Sequence, residues 1–581
     1  MSFYNPRKRS LMRWIWLLPL LAVAGLSGLH YHHKHSAKPR MLFSGNYGNS
    51  VSGQYLSSRF AALHNDWEDA LAAIKPSVTK ENVSAGMLDT AMRLELRLGN
   101  IEEAKNLAER VAKLAAKDPL AATIIAAYHL KQRHLEKVQQ VLQPFVIVKP
   151  DAQGADITIL VTDMLQIWAL AESRDYEKAM AKLDRLIHEG PPVFSQFLHY
   201  QAAIIADMAG MKTRADQEYS AIIKSHSPKS YRFMEGAISF YRRSGNPLAN
   251  QLYEEFMKKY LVLSENSSLP LTTQPIVNDG IEGAAELFAE VGSYLNDNVF
   301  SIEAVEYLRL ALYLRPDLPH AQYILADILS SMGHEKEAIE LLGKINPNSP
   351  YNWRGRIGIA RDLEKIGTTK QAESILLSLD QERPENLEAI ATLGDIYQHQ
   401  ENYAQAAKVY EKAVEKIKNP EEKHWVLFYS LGAAYERIGE WKKAEHYLIE
   451  ALKLSPGQPE ALNYLAYSWV ERGENLQQAR EMLETALKKS PDDAHIIDSY
   501  GWALFRLKDY PGAVKNLEQA AMGMPYDSTV NDHLGDAYWM AGRRNEARFQ
   551  WSAALNMKPE PSQVVLIKRK LAQGLDQNPE K

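Results

Sequence analysis

A tandem repeat with a period of about 34 residues constrains this chain more than any other feature. Four segments carry it: LGAAYERIGEWKKAEHYLIEALKLSP from Leu431, LAYSWVERGENLQQAREMLETALKKSP from Leu465, YGWALFRLKDYPGAVKNLEQAAMGMP from Tyr500 and LGDAYWMAGRRNEARFQWSAALNMKP from Leu534. These four starts hold the period, with a single extra position in the second segment, at its GENLQ turn. Each segment reads as two antiparallel helices. The first ends at a turn residue: Gly439, Gly473, Lys508 or Gly542. The second carries small, large and small residues: Ala444, Leu448, Ala451; Ala479, Leu483, Ala486; Ala513, Leu517, Ala520; Ala547, Trp551, Ala554. Steps of four and then three put each trio on one helix face. A proline follows and stops the second helix. Such a hairpin cannot bury its apolar stripe alone, so neighbours must stack on it. At 581 residues the chain also exceeds one ordinary core. The expected fold is all-α: a solenoid of hairpins forming a right-handed superhelix, with first helices lining a concave face.

The period continues upstream. Ala304, Ala338, Ala372 and Ala406 are spaced by one period each, as are Ala70 and Ala104. The stretch LSENSSLPLTTQPIVNDG is polar and proline-bearing and reads as a joint. The expected organisation is a diverged array over 54–262, the joint at 263–280, the clear array over 281–562, and a capping helix with tail over 563–581. In that cap Val565, Leu566, Leu571 and Leu575 are expected inward, with Lys568, Arg569 and Lys570 solvated.

The N-terminus reads differently. Arg7, Lys8, Arg9 and Arg13 precede an uncharged, largely apolar run over 14–29. Residues 1–31 therefore read as a signal peptide or a transmembrane anchor, with a flexible linker over 32–53. This predicts an inner-membrane protein with a periplasmic body, or a periplasmic one if the signal is cleaved. His30, His32, His33 and His35 lie together without a carboxylate, and are read as a solvated stretch rather than a metal site.

Composition excludes several functions. Cysteine is absent, which removes disulfides, thiolate nucleophiles and cysteine-based metal sites. A net charge of −5 with no basic domain argues against nucleic acid. No HExxH, GxSxG or P-loop pattern is present. No enzyme activity, cofactor or metal is expected. His533 beside Asp532 and near Asp536 reads as surface chemistry.

Repeat register selects candidate binding residues on the first helices: Tyr429, Arg437, Asn463, Tyr467, Asp498, Trp502, Arg506, Asp532, Asp536 and Trp539. Tyr, Trp and Arg are the commonest binding hot spots. Gly501 takes the slot where the two helices of a unit cross closely. Trp502 and Trp539 either line the groove or pack on a neighbouring unit.

The Leu-Gly, Tyr, Ala and Pro arrangement resembles the tetratricopeptide repeat (TPR). The phrases EYLRLALYLRPD, LNYLAYSWVERG, IIDSYGWALFRL and HLGDAYWMAGRRNEARFQW further resemble long exported or membrane-anchored proteobacterial TPR proteins of unassigned activity. The resemblance implies an adaptor that holds protein or peptide partners. Some TPR grooves clamp a C-terminal carboxylate with lysines and asparagines. Asn463 is a single match to that pattern, and Tyr429, Tyr467 and Trp502 stand where lysines would be needed. The expected function is a scaffold binding protein partners in its groove, in envelope assembly. The alternatives are an accessory binder of polysaccharide or cell-wall glycan and, more remotely, an enzyme.

Overall fold

The structure is a computed structural model, describing residues 50–80, 83–115, 117–145, 157–225, 230–260, 273–297 and 301–575. Every regular element in it is helical, and successive helices pair into hairpins stacked as a TPR-like solenoid. The described chain falls into two compact units. One is built from residues within 35–262 and 266–382, the other from 383–581.

The hairpins of the second unit follow from local chemistry. Asp493, Asp509 and Asp527 cap their helices by accepting backbone N–H bonds from the first turn. Gly439, Gly473, Lys508 and Gly542, the expected turn residues, all have positive φ. The twelve small–large–small residues of the second helices are all fully buried. On the facing first helix Gly432, Gly501 and Gly535 leave room for a hydrogen atom only, whereas the second hairpin fits the buried Ala466 in the same slot. A Cβ on Gly501 would lie 2.7 Å from Leu517 Cγ, and one on Gly432 would lie 2.8 Å from Leu448 Cγ. The glycine's cost in helix propensity is offset by this close crossing.

The first unit is joined differently. Helices Gly280–Asp297 and Ser301–Leu314 were expected to open the C-terminal array. They pack with helices from the N-terminal array as well as with the following helix Pro319–Ser331, and the compact units divide after residue 382 rather than at 263–280. The Trp168 ring lies against Gly283. Buried Glu306 accepts from Arg93 Nη1 at 2.8 Å and Arg97 Nη2 at 2.6 Å. Buried Glu286 is paired with buried Arg232, whose Nε donates at 3.0 Å. A buried carboxylate is tolerated only with such partners, and none of these pairings leaves a periodic trace in the sequence.

No helix among the described residues is long and apolar enough to cross a membrane. This corrects the expected transmembrane helix, the membrane as a partner and the inner-membrane localisation. The segment 1–31 that motivated them, and the four histidines after residue 29, lie outside the described residues. So does most of the expected linker, whose last residues already belong to helix Val51–Leu63.

The glycine argument predicts opposite results for two alanine substitutions. Gly501→Ala should destabilise its unit by about 1–3 kcal/mol, through overpacking against Leu517. Gly86 has open space around its missing Cβ, so Gly86→Ala should stabilise the other unit by about 0.4–1 kcal/mol. Denaturant unfolding of each variant checks both; a Gly501→Ala protein as stable as its parent would contradict the crossing.

Candidate functional site

In the unit 383–581, first helices Trp425–Arg437, Pro459–Arg472, Ala494–Arg506 and Ser528–Met540 start in step with the repeat. The terminal helix Pro561–Gln573 starts one position short of a further full period. It therefore occupies the register of one more first helix. Equivalent side chains recur along this row. Tyr429, Asn463, Asp498 and Asp532 share one position, and Tyr467, Trp502 and Asp536 share another, one helical turn later.

Tyr467, Asp498 and Trp502 gather around His533. The His533 ring stacks on Trp502 with centroids 4.1 Å apart and planes at 9°, and the Tyr467 ring lies 6.5 Å away. Phe505 stacks on Trp502 at 4.6 Å. The indole Nε1 of Trp502 donates to Glu471 Oε1 at 2.5 Å. His533 Nδ1 lies 3.1 Å from Asp498 Oδ2, with both residues buried. Burial opposes charge on the imidazole, but Asp498, followed by Glu471 and Asp532, raises its pKa above the ordinary value. The expectation for His533 is thus corrected. Its partner is Asp498, 35 residues earlier, and the ring is buried rather than on the surface.

Asp532, Asp536 and Trp539 form a second group, held by the terminal helix. Lys570 Nζ donates to Asp532 Oδ2 at 2.7 Å and to Asp536 Oδ2 at 2.8 Å. Asp536 also accepts from Trp551 Nε1 at 2.8 Å. Burial drives the Asp536 carboxyl up to about 6, although Lys570 acts in the other direction. Trp539 Nε1 donates to the Leu575 carbonyl at 3.1 Å. Of the four residues expected inward, Leu571 and Leu575 pack against the core and the other two do not. Val565 and Leu566 are exposed, Ile567 is buried, and Lys570 is drawn in by the two carboxylates.

The remaining candidates are more dispersed. Tyr429 is buried edge-on to Tyr464, and burial raises its phenol pKa. Asn463 is half-buried. Arg437 lies over the Tyr403 ring at 4.7 Å, and Arg506 Nη1 donates to the Glu471 carbonyl at 3.2 Å. The sequence reading missed Glu471, Phe505, His533 and Lys570 as members of the face. Their one usable signal is complementary chemistry about one repeat apart, as in Asp498 with His533.

Two tetratricopeptide repeat models match the chain, over residues 385–457 and 470–525. These residues carry tetratricopeptide repeats. A third model, the Y4kD C-terminal domain, matches residues 92–233. Among curated relatives, TPR repeat-containing protein PA4667 of Pseudomonas aeruginosa is 32% identical over 136 residues, which is 23% of this chain and 22% of that protein. The NatB auxiliary subunit N-alpha-acetyltransferase 25 of Mus musculus is 26% identical over 193 residues, 31% of this chain and 19% of that one. The chain thus spans about a fifth of the length of these relatives. Such matches do not single out an exported proteobacterial type. Among solved structures, yeast Tom70 aligns with a TM-score of 0.30 at 13% identity, covering 90% of this chain and 95% of that one. A TPR protein from Parabacteroides merdae aligns with a TM-score of 0.34 at 16% identity, covering 44% and 99%. Among the described residues no group of three or more His, Cys, Asp or Glu could hold a metal ion. The TPR architecture is consistent with a non-enzymatic protein.

The His533–Asp498 pair predicts a pH dependence. A raised folded-state pKa stabilises the fold fully below the unfolded value of about 6.5, and that stabilisation is lost as pH rises through the folded value. The denaturant midpoint of the unit 383–581 should therefore fall as pH rises above the unfolded value of about 6.5. His533→Gln should flatten that fall, and an equally steep fall in the variant would contradict the assignment. Lys570→Met leaves two carboxylates without their cation and should cost about 2 kcal/mol. Amide exchange in the terminal helix should accelerate correspondingly, and unchanged protection would contradict the role of Lys570.

Proposed function

We propose that this protein is a scaffold holding protein partners against the first-helix face of residues 383–581. The observation that carries this reading is the half-buried cluster of Tyr467, Trp502 and Phe505 with Glu471 and Asp498, built from adjacent first helices. Aromatic anchors beside charged groups are the usual composition of binding hot spots. The TPR architecture supports a general adaptor role. A glycan reading needs free, ordered aromatic faces, and Trp502 already stacks on Phe505 and His533. That favours a protein partner. The envelope role rested on the N-terminal segment and forms no part of this proposal.

Affinity purification with the full chain as bait tests the reading. The Tyr467→Ala/Trp502→Ala variant should lose most partner recovery, by roughly tenfold or more if the two rings are hot spots. Circular dichroism confirms that the variant is folded. Unchanged recovery with a folded variant would refute binding at this face.

A further inference from the structure

Helix Gly280–Asp297 meets its neighbours in the first unit through a buried cluster of charge. From helix Tyr231–Arg243, Arg232 pairs with Glu286 and donates from Nη1 to Glu235 at 2.7 Å. Arg315 Nη1 lies 3.7 Å from Glu282 and from Glu286. Glu290 follows Glu286 by about one helical turn. His320, in the first turn of helix Pro319–Ser331, reaches toward both: its Nε2 lies 3.8 Å from Glu286 Oε2 and 4.0 Å from Glu290 Oε1. Arg232, Glu235, Glu286, Glu290 and His320 are all buried, and neither ring nitrogen of His320 has a hydrogen-bond partner.

Charge balance restricts the protons this cluster can lose. Its cations are Arg232 and Arg315, and they already face Glu235, Glu282 and Glu286, with exposed Asp317 on Arg315 as well. No cation is left for Glu290. Asp297 acts on it as a further carboxylate, and Ser230 as a neutral hydrogen-bond donor. Around the cluster, Tyr200, Tyr219 and Tyr351 contribute only phenols. A buried charge without a counter-ion is strongly unfavourable. Glu290 and His320 together must therefore keep at least one proton. Burial, followed by Glu286, raises Glu290 to about 8, and burial lowers His320 to about 3 against the pull of Glu286. The proton sits on the Glu290 carboxyl.

We propose that Glu290 and His320 form a pH-sensitive latch: while the pair holds its proton, the joint between helix Tyr231–Arg243 and helices Gly280–Asp297 and Pro319–Ser331 stays closed, and loss of that proton opens it. Deprotonation leaves the Glu290 carboxylate beside Glu286 with no cation free to meet it, and separation of the helices returns it to water. Glu290, raised above its ordinary value of 4.5, stabilises the closed joint fully below that value, and this is lost as pH rises through about 8. His320, lowered from 6.5, stabilises it fully above that value, and this is lost as pH falls toward about 3. The two effects cancel between 4.5 and 6.5, so the joint is tightest there and loosens in mildly alkaline solution. The latch lies in the first unit and is independent of binding at residues 383–581.

Amide hydrogen exchange of the full chain tests the latch, resolved to peptides from 231–243 and 280–297 and divided by the intrinsic rate at each pH. In the parent, opening should rise roughly tenfold between about pH 6 and about pH 8. Glu290→Gln, which is neutral at every pH, should show no rise over that range. His320→Gln removes the opposing titration and should steepen the rise to roughly fiftyfold. Circular dichroism at the lower pH checks that both variants are folded. A parent equally protected at the two pH values would overturn the inference. So would an alkaline rise in folded Glu290→Gln as steep as the parent's, or its loss in folded His320→Gln.

Discussion

The close crossing of two helices within each hairpin underlies the rest of the C-terminal unit. Where Gly501 faces Leu517, the backbones approach to a distance that excludes even a methyl group. Leu517 and its flanking alanines, Ala513 and Ala520, are then fully buried. Gly432 takes the same slot against Leu448, the small Ala466 takes it in the hairpin between, and first helices recur in a common register. A side chain on one of them meets residues about one repeat away in sequence. Asp498 and His533, 35 residues apart, and Glu471 and Trp502, 31 apart, are both consequences of that geometry.

In the first unit, buried charge performs part of the joining that periodic packing performs in the second. Glu306 is held by two arginines 213 and 209 residues earlier. Close to the Arg232–Glu286 pair, Glu290 and His320 are buried with Nε2 and Oε1 4.0 Å apart. Burial, then Glu286, raises the Glu290 carboxyl to about 8, and burial lowers His320 to about 3. Both are therefore neutral near pH 7. Neutralisation is the usual response of an ionisable group that lacks a close, well-bonded counter-ion. The hairpins of this unit thus meet through contacts whose energy depends on particular partners, and substitution of one partner leaves an uncompensated charge.

The last described helix combines the two kinds of contact. It holds the register of another first helix, and no described helix follows it. Its buried side is a compromise between apolar and ionic contacts. Ile567 fills the core beside Trp551, while Lys570 serves Asp532 and Asp536. The price is the exposure of Val565 and Leu566. An amphipathic reading weighted only by apolarity places Leu571 and Leu575 correctly but misplaces Val565, Leu566 and Lys570, because it gives no weight to two carboxylates that need a cation.

Much of this architecture was legible in the residues. The repeat period, the turn residues and the buried trios Ala444–Leu448–Ala451 through Ala547–Trp551–Ala554 all follow from short-range pattern, because helix face and helix end are determined within a turn or two. The glycine slot at Gly501 was equally readable, since it recurs in register. What tertiary structure alone decided were the partners that cross between repeats or between distant hairpins. The sequence placed Asp498, Trp502 and Asp532 on the first helices, but not His533 on Asp498, Trp502 on His533, or Lys570 on Asp532. It also suggested a division at 263–280 where the compact units do not divide. Local pattern sets which way a side chain faces, whereas the identity of what it meets depends on how hairpins stack and which charges must be matched after burial.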